Sequence, residues 1–166
     1  MGMRAAVAMS GGVDSSAAAL LLARAGWELV GLTMVLLTGD TPGCAPECAR
    51  RARQDVRDAA QAAARLGFPH RALDLSVPFR TSVLEPFAAA YRAGETPNPC
   101  VACNRAVKFG ALLEAALSLG ADRLATGHYA RSEYDAPSGR WLLKKAARPE
   151  KDQSYVLWTL RQDQLS

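Results

Sequence analysis

The sequence lacks a long hydrophobic run and any internal repeat, and it has only four cysteines. Its longest uninterrupted apolar stretch runs from Ala17 to Ala23, far short of the roughly 18 residues that a membrane-spanning helix requires. The N-terminal segment has one charge, at Arg4, before it becomes strand-like, which is not the pattern of an export signal. A membrane or secreted protein is not indicated, and we expect a cytoplasmic location.

The composition is ordinary for a globular domain. The 166 residues are 49% hydrophobic and 22% charged, which argues against a disordered or fibrous chain. A chain of this length buries a sizeable core without disulfides or a structural metal. The 20 lysines and arginines against 16 acidic residues give a net charge of +4, which mildly favours a polyanionic partner without requiring one.

Apolar runs alternate with amphipathic segments along most of the chain. The predicted strands cover residues 5–9, 29–37, 72–75 and 123–126, and the predicted helices cover 15–25, 47–66, 78–93 and 105–119. This alternation predicts an α/β fold with a doubly wound parallel sheet, a Rossmann-like arrangement whose ligands bind beyond the carboxyl ends of the strands. Segments 129–134 and 141–145 flank turn residues and predict a β-hairpin. We therefore expect one domain over residues 1–130 and a hairpin extension over 131–166.

Two helical faces carry more specific expectations. The helix over 78–93 is expected to bury Phe79, Val83, Phe87, Ala90 and Tyr91. In the helix over 47–66, three arginines lie opposite the apolar face and form either a solvated surface or a phosphate contact: Arg50, Arg53 and Arg57.

The first predicted strand is followed by a glycine loop, Ser10–Ser16, with the sequence SGGVDSS. The loop opens a helix, so free backbone N–H groups and the positive end of the helix dipole converge there and form an anion site. Its glycines allow close approach of oxygens and its serines add hydroxyl donors. Asp14 is suited to hold Mg²⁺ together with phosphate oxygens. No lysine follows the glycines and the G-x-G-x-x-G spacing is absent, which argues against the P-loop and dinucleotide-binding classes.

The S-G-G-x-D-S pattern resembles the PP-loop of the N-type ATP pyrophosphatases, which cleave ATP between the α and β phosphates. Its structural alternative is a plain glycine turn capped by serine. Other PP-loop enzymes, such as GMP, NAD, asparagine and argininosuccinate synthetases, share this first motif only.

A second loop, Thr96–Asn104, has the sequence TPNPCVACN and is held extended by its prolines. Cys103 is expected at the start of the following helix, where the dipole and the charges of Arg105 and Lys108 stabilise a thiolate. The residue is therefore a candidate low-pKa nucleophile.

The cysteine spacing leaves two other interpretations open. Cys100 and Cys103 form a C-x-x-C pair, which is typical of half of a zinc or iron–sulfur site, with Cys44 and Cys48 as the other half. The thiols can also be inert and buried.

Four motifs taken together are similar to those of the tRNA-specific 2-thiouridylases: SGGVDSS, TPNP-x-x-x-CN-x-x-x-KF, ATGHYAR and KDQSY. They follow the family's order over residues 8–158. The resemblance implies ATP-dependent 2-thiolation of a wobble uridine in tRNA. In that reaction the uridine C2 oxygen is adenylated and a persulfide sulfur from a donor protein attacks C2, which gives AMP and pyrophosphate.

The resemblance also implies roles for individual residues, with Cys103 and Asp14 as catalytic. The implied ATP-binding residues are Ala8, Met9, Ser10, Gly11, Gly12, Val13, Asp14, Ser15, Ser16, Met34 and Gly127. The implied tRNA-binding residues are Asn98, Pro99, Cys100, His128, Lys151, Asp152 and Gln153. ATP and Mg²⁺ are the implied cofactors, and tRNA and a persulfide donor protein are the implied partners, with neither DNA nor a membrane among them.

The sequence departs from the family in two respects. Many members carry aspartate at the position of Cys100, next to the target base, so Cys100 is instead a candidate cluster ligand. The family's second cysteine lies downstream of the segment that matches Lys151–Tyr155. We therefore expect an N-terminal catalytic portion that binds ATP but does not complete thiolation alone. The alternatives are a PP-loop tRNA sulfurtransferase with an iron–sulfur site and a non-catalytic ATP- or tRNA-binding remnant.

Overall fold

A parallel β-sheet forms the centre of the molecule. The computed structural model describes residues 2–39, 41 and 44–166. Within these residues, four strands pair in the order β3-β2-β1-β4, all parallel. Their bounds are Arg4–Ala8 for β1, Glu28–Val35 for β2, His70–Asp74 for β3 and Arg123–Ala125 for β4. The predicted doubly wound α/β fold is confirmed, and the strand order changes direction between β1 and β4.

Helices cover both faces of the sheet because the side chains of β1 alternate between two cores. On one face, α1 (Val13–Arg24) and α2 (Pro46–Leu66) bury apolar residues against β1 and β2. That core consists of Ala5, Val7, Met9, Ala19, Leu29, Ala59 and Ala63. The core of the other face consists of Ala6, Val30, Leu32, Leu75, Val83, Val107, Leu112, Ala116 and Ala121.

The second face is covered by two helical stretches of mixed winding. The first runs through α3 (Ser76–Phe79), a π-helical segment (Arg80–Leu84) and α4 (Glu85–Arg92). The second runs through α5 (Pro99–Cys103), a π-helical segment (Asn104–Leu112) and α6 (Leu113–Ser118).

The second stretch begins earlier than the sequence predicted. A start at Arg105 is wrong, because the helix begins at Pro99, whose fixed φ suits the first helical position. Asn98 is the N-cap, and its side-chain oxygen accepts the backbone N–H of Cys100 at 3.0 Å. Cys103 therefore lies one turn inside the helix rather than before it.

The buried face predicted for residues 78–93 is only partly right. Val83 is buried in the core and Phe79 packs against it, but Tyr91 is 60% exposed and α4 contains no buried residue. Helical spacing shows that a helix has an apolar face without showing how far the sheet extends beneath it. Three arginines of α2 that the sequence placed opposite its apolar face, Arg50, Arg53 and Arg57, are all exposed.

The predicted hairpin is confirmed as the antiparallel pair β5 (Ala130–Asp135) and β6 (Arg140–Lys145). A third apolar cluster, formed by Phe109, Val156 and Leu157, joins the hairpin and the residues after it to the second helical stretch. Among the described residues, no helix is long and apolar enough to cross a membrane.

The core predicts a difference between two leucines of the second helical stretch. Leu112 is fully buried, whereas Leu117 is 51% exposed. We expect Leu112→Ala to lower the free energy of unfolding by about 2–5 kcal/mol, because it leaves a cavity between helix and sheet. Leu117→Ala, the matched control, should change it by less than about 0.5 kcal/mol. Urea denaturation measures both, and equal losses would contradict the described packing.

Candidate nucleotide site

A cavity of about 370 Å³ opens at the carboxyl ends of the central strands. It lies where the strand order changes direction, the position at which doubly wound sheets bind ligands. Its lining residues are Ala8, Met9, Ser10, Asp14, Ser15, Leu32, Thr33, Met34, Leu36, Asp55, Lys108, Thr126, Gly127, His128 and Gln153.

The cavity gathers only part of the predicted ATP-binding set. Ala8, Met9, Ser10, Asp14, Ser15, Met34 and Gly127 line it. The other four predicted residues, Gly11, Gly12, Val13 and Ser16, line a separate shallow surface beside the end of α2. Within the loop, Ser10, Asp14 and Ser15 therefore face the cavity, whereas residues 11–13 and Ser16 face the other surface.

Hydrogen bonds within the glycine loop use most of its hydroxyl groups. The hydroxyls of Ser15 and Ser16 donate to the carbonyl of Gly12 at 3.1 and 3.0 Å. Ser15 Oγ also accepts the backbone N–H of Ser10 at 3.3 Å. These serines therefore hold the loop in shape, whereas the sequence predicted that they would serve as donors to the ligand.

Two glycines are required by close backbone contacts. Gly11 has φ +78°, and a Cβ there would lie 2.8 Å from the carbonyl oxygen of Asp55 in α2. At Gly127, a Cβ would lie 2.9 Å from the backbone nitrogen of Ser15. The glycine loop is thus pressed between α2 and the segment that follows β4, and a side chain at either position would separate them.

Asp14 lies in the first turn of α1 and is exposed. Tyr129 donates its hydroxyl to Asp14 Oδ1 at 2.7 Å, and this hydrogen bond to the carboxylate raises the pKa of Tyr129. An exposed carboxylate beside a glycine loop at a helix start fits Mg²⁺, which takes one or two carboxylates and completes its shell with phosphate oxygens and water. Tyr129 was not among the site residues predicted from the sequence, although it lies within the ATGHYAR motif.

His128 lies in a half-buried polar arrangement. Its Nε2 is 3.2 Å from Lys108 Nζ, its Nδ1 is 2.8 Å from Thr126 Oγ1, and its ring stacks on Phe109 with centroids 6.0 Å apart. Burial, with a smaller contribution from the charge of Lys108, lowers the pKa of His128 to about 4, so the imidazole is neutral at pH 7. Lys108 was noted in the sequence only as a charge near Cys103.

Cys103 differs from the expected low-pKa thiol. It is half-buried, and burial raises its pKa, with Cys100 adding to the effect and the charge of Lys108 opposing it. The expectation assumed that the thiol lies at the helix start, where the dipole acts most strongly. Cys100 occupies that first turn instead and is exposed.

The four cysteines form two separate pairs. In the part of the chain that the structure describes, no three histidine, cysteine or carboxylate side chains converge as a metal site. Burial and then the neighbouring Cys48 raise the pKa of Cys44, and burial and then Cys100 raise the pKa of Cys103. The structure therefore does not bring the pairs together into the four-cysteine set considered from the sequence.

The three predicted tRNA-binding residues of the KDQSY motif have different surroundings. Gln153 lines the cavity, and it exchanges hydrogen bonds with the backbone of Tyr129. Asp152 accepts the backbone N–H of Ala146 at 2.7 Å and the Ser154 hydroxyl at 2.7 Å, and these bonds lower its pKa. Lys151 is exposed, with Nζ 5.8 Å from the Tyr129 ring centroid. Asp152 thus shapes the loop rather than presenting a free carboxylate.

The close contact at Gly127 generates a testable prediction. We expect Gly127→Ala to lower the free energy of unfolding by about 1–3 kcal/mol, because the added methyl group overlaps the backbone of Ser15. Gly39→Ala is the matched control, since no described atom lies within 4 Å of a Cβ there. The two variants are compared by urea denaturation. Equal stability of both would show that the segment after β4 does not approach α1 as described.

Comparisons with known proteins identify the family of this chain. The family model described as the tRNA methyl transferase HUP domain matches residues 3–166. The tRNA-specific 2-thiouridylase MnmA of Pelobacter propionicus is 52% identical over 164 residues, which cover 99% of this chain and 44% of that protein. The MnmA of Moorella thermoacetica is 50% identical over 160 residues, 96% of this chain and 45% of that protein.

The chain therefore spans less than half the length of these curated relatives. A solved structure, described as a predicted subunit of tRNA methyltransferase from Methanocaldococcus jannaschii, is 23% identical, with a TM-score of 0.48 over 75% of this chain and 52% of that one. Because the family model matches nearly every residue, the chain belongs to the family of tRNA methyl transferase HUP domains.

Proposed function

We propose that this chain is the ATP-using part of a tRNA-specific 2-thiouridylase and that it adenylates the C2 oxygen of a wobble uridine. One observation carries the proposal. The cavity at the carboxyl ends of β1 and β4 gathers residues from all four of the chain's shared motifs: Asp14, Lys108, His128 and Gln153 are examples. The relatives that are about half identical to this chain are named 2-thiouridylases, which supports the same reaction here.

ATP binding is assigned to two chemically different sides of the cavity. The start of α1 supplies backbone N–H groups and a helix dipole for the phosphates. The partly buried apolar side chains of Met34 and Leu36 supply a surface for the adenine base.

Mg²⁺ is assigned to Asp14. When bound there, the ion neutralises charge on the pyrophosphate leaving group. Tyr129 holds the Asp14 carboxylate in one orientation through their hydrogen bond. The Asp14 carboxylate therefore stays beside the glycine loop.

The tRNA is assigned to the surface beside His128 and Gln153. Residues 131–166, which we place with the tRNA-contacting part of the protein, carry exposed aromatic side chains close in sequence to Gln153. Tyr155 is 63% exposed and Trp158 is 70% exposed. Aromatic side chains stack on unpaired bases, and lysines such as Lys151 contact phosphates. We retain Asn98, Pro99 and Cys100 as contacts from the helix start.

The proposed chemistry proceeds in two stages. First, the C2 oxygen attacks the α phosphorus, a P–O bond forms, and pyrophosphate leaves. Next, the terminal sulfur of a protein persulfide attacks C2, the C2–O bond breaks, and AMP leaves with the oxygen. A thiolate must then break the remaining S–S bond to release the thiolated base and form a disulfide. We assign that nucleophilic step to Cys103.

Pyrophosphate release tests the adenylation. The chain is incubated with ATP, Mg²⁺ and unmodified tRNA that carries a wobble uridine, and tRNA should stimulate the release of pyrophosphate. Asp14→Ala should lower this rate by at least about 100-fold, since the leaving group loses its charge stabilisation, while tRNA affinity stays within about twofold.

Asp163→Ala is the control for that experiment. Asp163 is an exposed carboxylate paired with Arg161, and its loss should leave the rate unchanged. Absence of tRNA-stimulated release in the wild type would contradict the proposal. Full activity of Asp14→Ala would show that the carboxylate has another role.

Replacement of the second catalytic candidate separates the two stages. In the complete protein that contains this chain, Cys103→Ser should retain pyrophosphate release but form no 2-thiouridine, because a hydroxyl does not break the S–S bond. Cys48→Ser, which removes an exposed thiol of the other pair, should thiolate normally. Mass spectrometry of digested tRNA measures the product. Thiolation by the Cys103 variant would place the nucleophile elsewhere.

A further inference from the structure

Lys108 occupies a position that connects the cavity with the thiol of Cys103. The two residues are five apart, and the helix between them is π-wound over Asn104–Leu112. Cys103 directly precedes this segment, and because backbone bonds there span five residues instead of four, residues five apart lie closer to one side of the helix than in an α-helix. In an α-helix the same two side chains would point in different directions. Lys108 also lines the cavity, whereas Cys103 is not among its lining residues.

The hydrogen bonds around Lys108 determine the tautomer of His128. A lysine ammonium has donors only, so the contact of 3.2 Å to Nε2 requires a lone pair on that nitrogen. The proton of the neutral ring then lies on Nδ1 and is donated to Thr126 Oγ1 at 2.8 Å. Thr126 Oγ1 also accepts the backbone N–H of His128 at 3.4 Å. Every polar atom of the imidazole thus has a complementary partner.

Burial and neighbouring charged groups shift the pKa values of Lys108 and Cys103 in opposite directions. Burial lowers the pKa of Lys108, whereas Cys103 and Cys100 both favour its charged form. Burial raises the pKa of Cys103, and Lys108 is the positive group that counteracts it. Loss of the ammonium would therefore leave the thiol with burial and Cys100, both of which disfavour the thiolate.

We propose that Lys108 is a positioning residue whose ammonium holds His128 as the Nδ1-protonated tautomer and stabilises the thiolate of Cys103. The chemical use of this arrangement rests on the proposed function, since it places a neutral imidazole at the cavity and a nucleophilic sulfur beyond it. The Lys108 ammonium then acts both on His128 at the cavity and on Cys103 beyond it.

Thiol alkylation tests the effect on Cys103. In a background with Cys44→Ser, Cys48→Ser and Cys100→Ser, the rate of reaction with iodoacetamide is measured against pH. Lys108→Met should slow alkylation at neutral pH by at least about threefold and move the rate profile to higher pH, because the thiolate fraction falls. Lys108→Arg keeps the charge and should retain most of the wild-type profile.

The pH profile separates charge from access. A change in the access of iodoacetamide to Cys103 multiplies the rate at every pH, whereas a change in the pKa of the thiol moves the midpoint. Lys145→Met is the matched control, since Lys145 is an exposed lysine of the hairpin. An unmoved midpoint in Lys108→Met would overturn the proposal. Lys108→Gln provides a second uncharged variant, and circular dichroism checks that each variant is folded.

Nitrogen-15 NMR of the imidazoles tests the effect on His128. The chain has two histidines, so His70→Gln assigns the signals. Wild type and Lys108→Arg should show His128 with the proton on Nδ1, and Lys108→Met should show a mixture of tautomers. A wild-type pattern in Lys108→Met would contradict the proposal. Neither readout uses ATP or tRNA, so failure of pyrophosphate release would overturn the proposed function without changing these results.

Discussion

The parallel pairing of β1 with β4 is the interaction on which the rest of the site depends. Its register, Ala5 with Arg123 through Val7 with Ala125, places the segment after β4 beside the glycine loop after β1. Gly127 then contacts the backbone of Ser15 with no room for a side chain. Because the strand order reverses at this pairing, a crevice opens there. Residues more than 100 positions apart in sequence thereby line one cavity.

The site combines an anion-binding side with a side on which charge is controlled by burial. On the first side, free N–H groups of α1 and the exposed carboxylate of Asp14 are suited to a magnesium-bound phosphate chain. On the second, burial holds the imidazole of His128 neutral and raises the pKa of the Cys103 thiol. Lys108 contacts His128, and its charge opposes the effect of burial on Cys103. This charge acts where the dielectric is low and electrostatic effects are strong.

The sequence predicted the fold well because its signals are local. Apolar strands, a glycine loop and amphipathic helices each follow from short-range periodicity, and the alternation of strands and helices restricts the topology. The wrong predictions concern which side chains are buried and where a helix begins. Tyr91 has the spacing of a buried residue but lies beyond the core. The helix begins at Pro99 because Asn98 caps it. The sequence interpretation did not use Asn98 and Pro99 as helix-start signals. Cys103 was therefore assigned a dipole effect that the helix geometry does not provide.

By itself, the sequence determined the order of the elements, the position of the glycine loop and the membership of the family, because these depend on local residue patterns. The tertiary structure alone decided which members of each motif meet. In the folded chain, the hydroxyls of Ser15 and Ser16 donate to the carbonyl of Gly12. The Asp152 carboxylate accepts hydrogen bonds that hold a loop. The tertiary structure also brings Lys108 to His128. These contacts arise because hydrogen bonding and burial act on distances in space, which are set by strand pairing and helix winding rather than by separation along the chain.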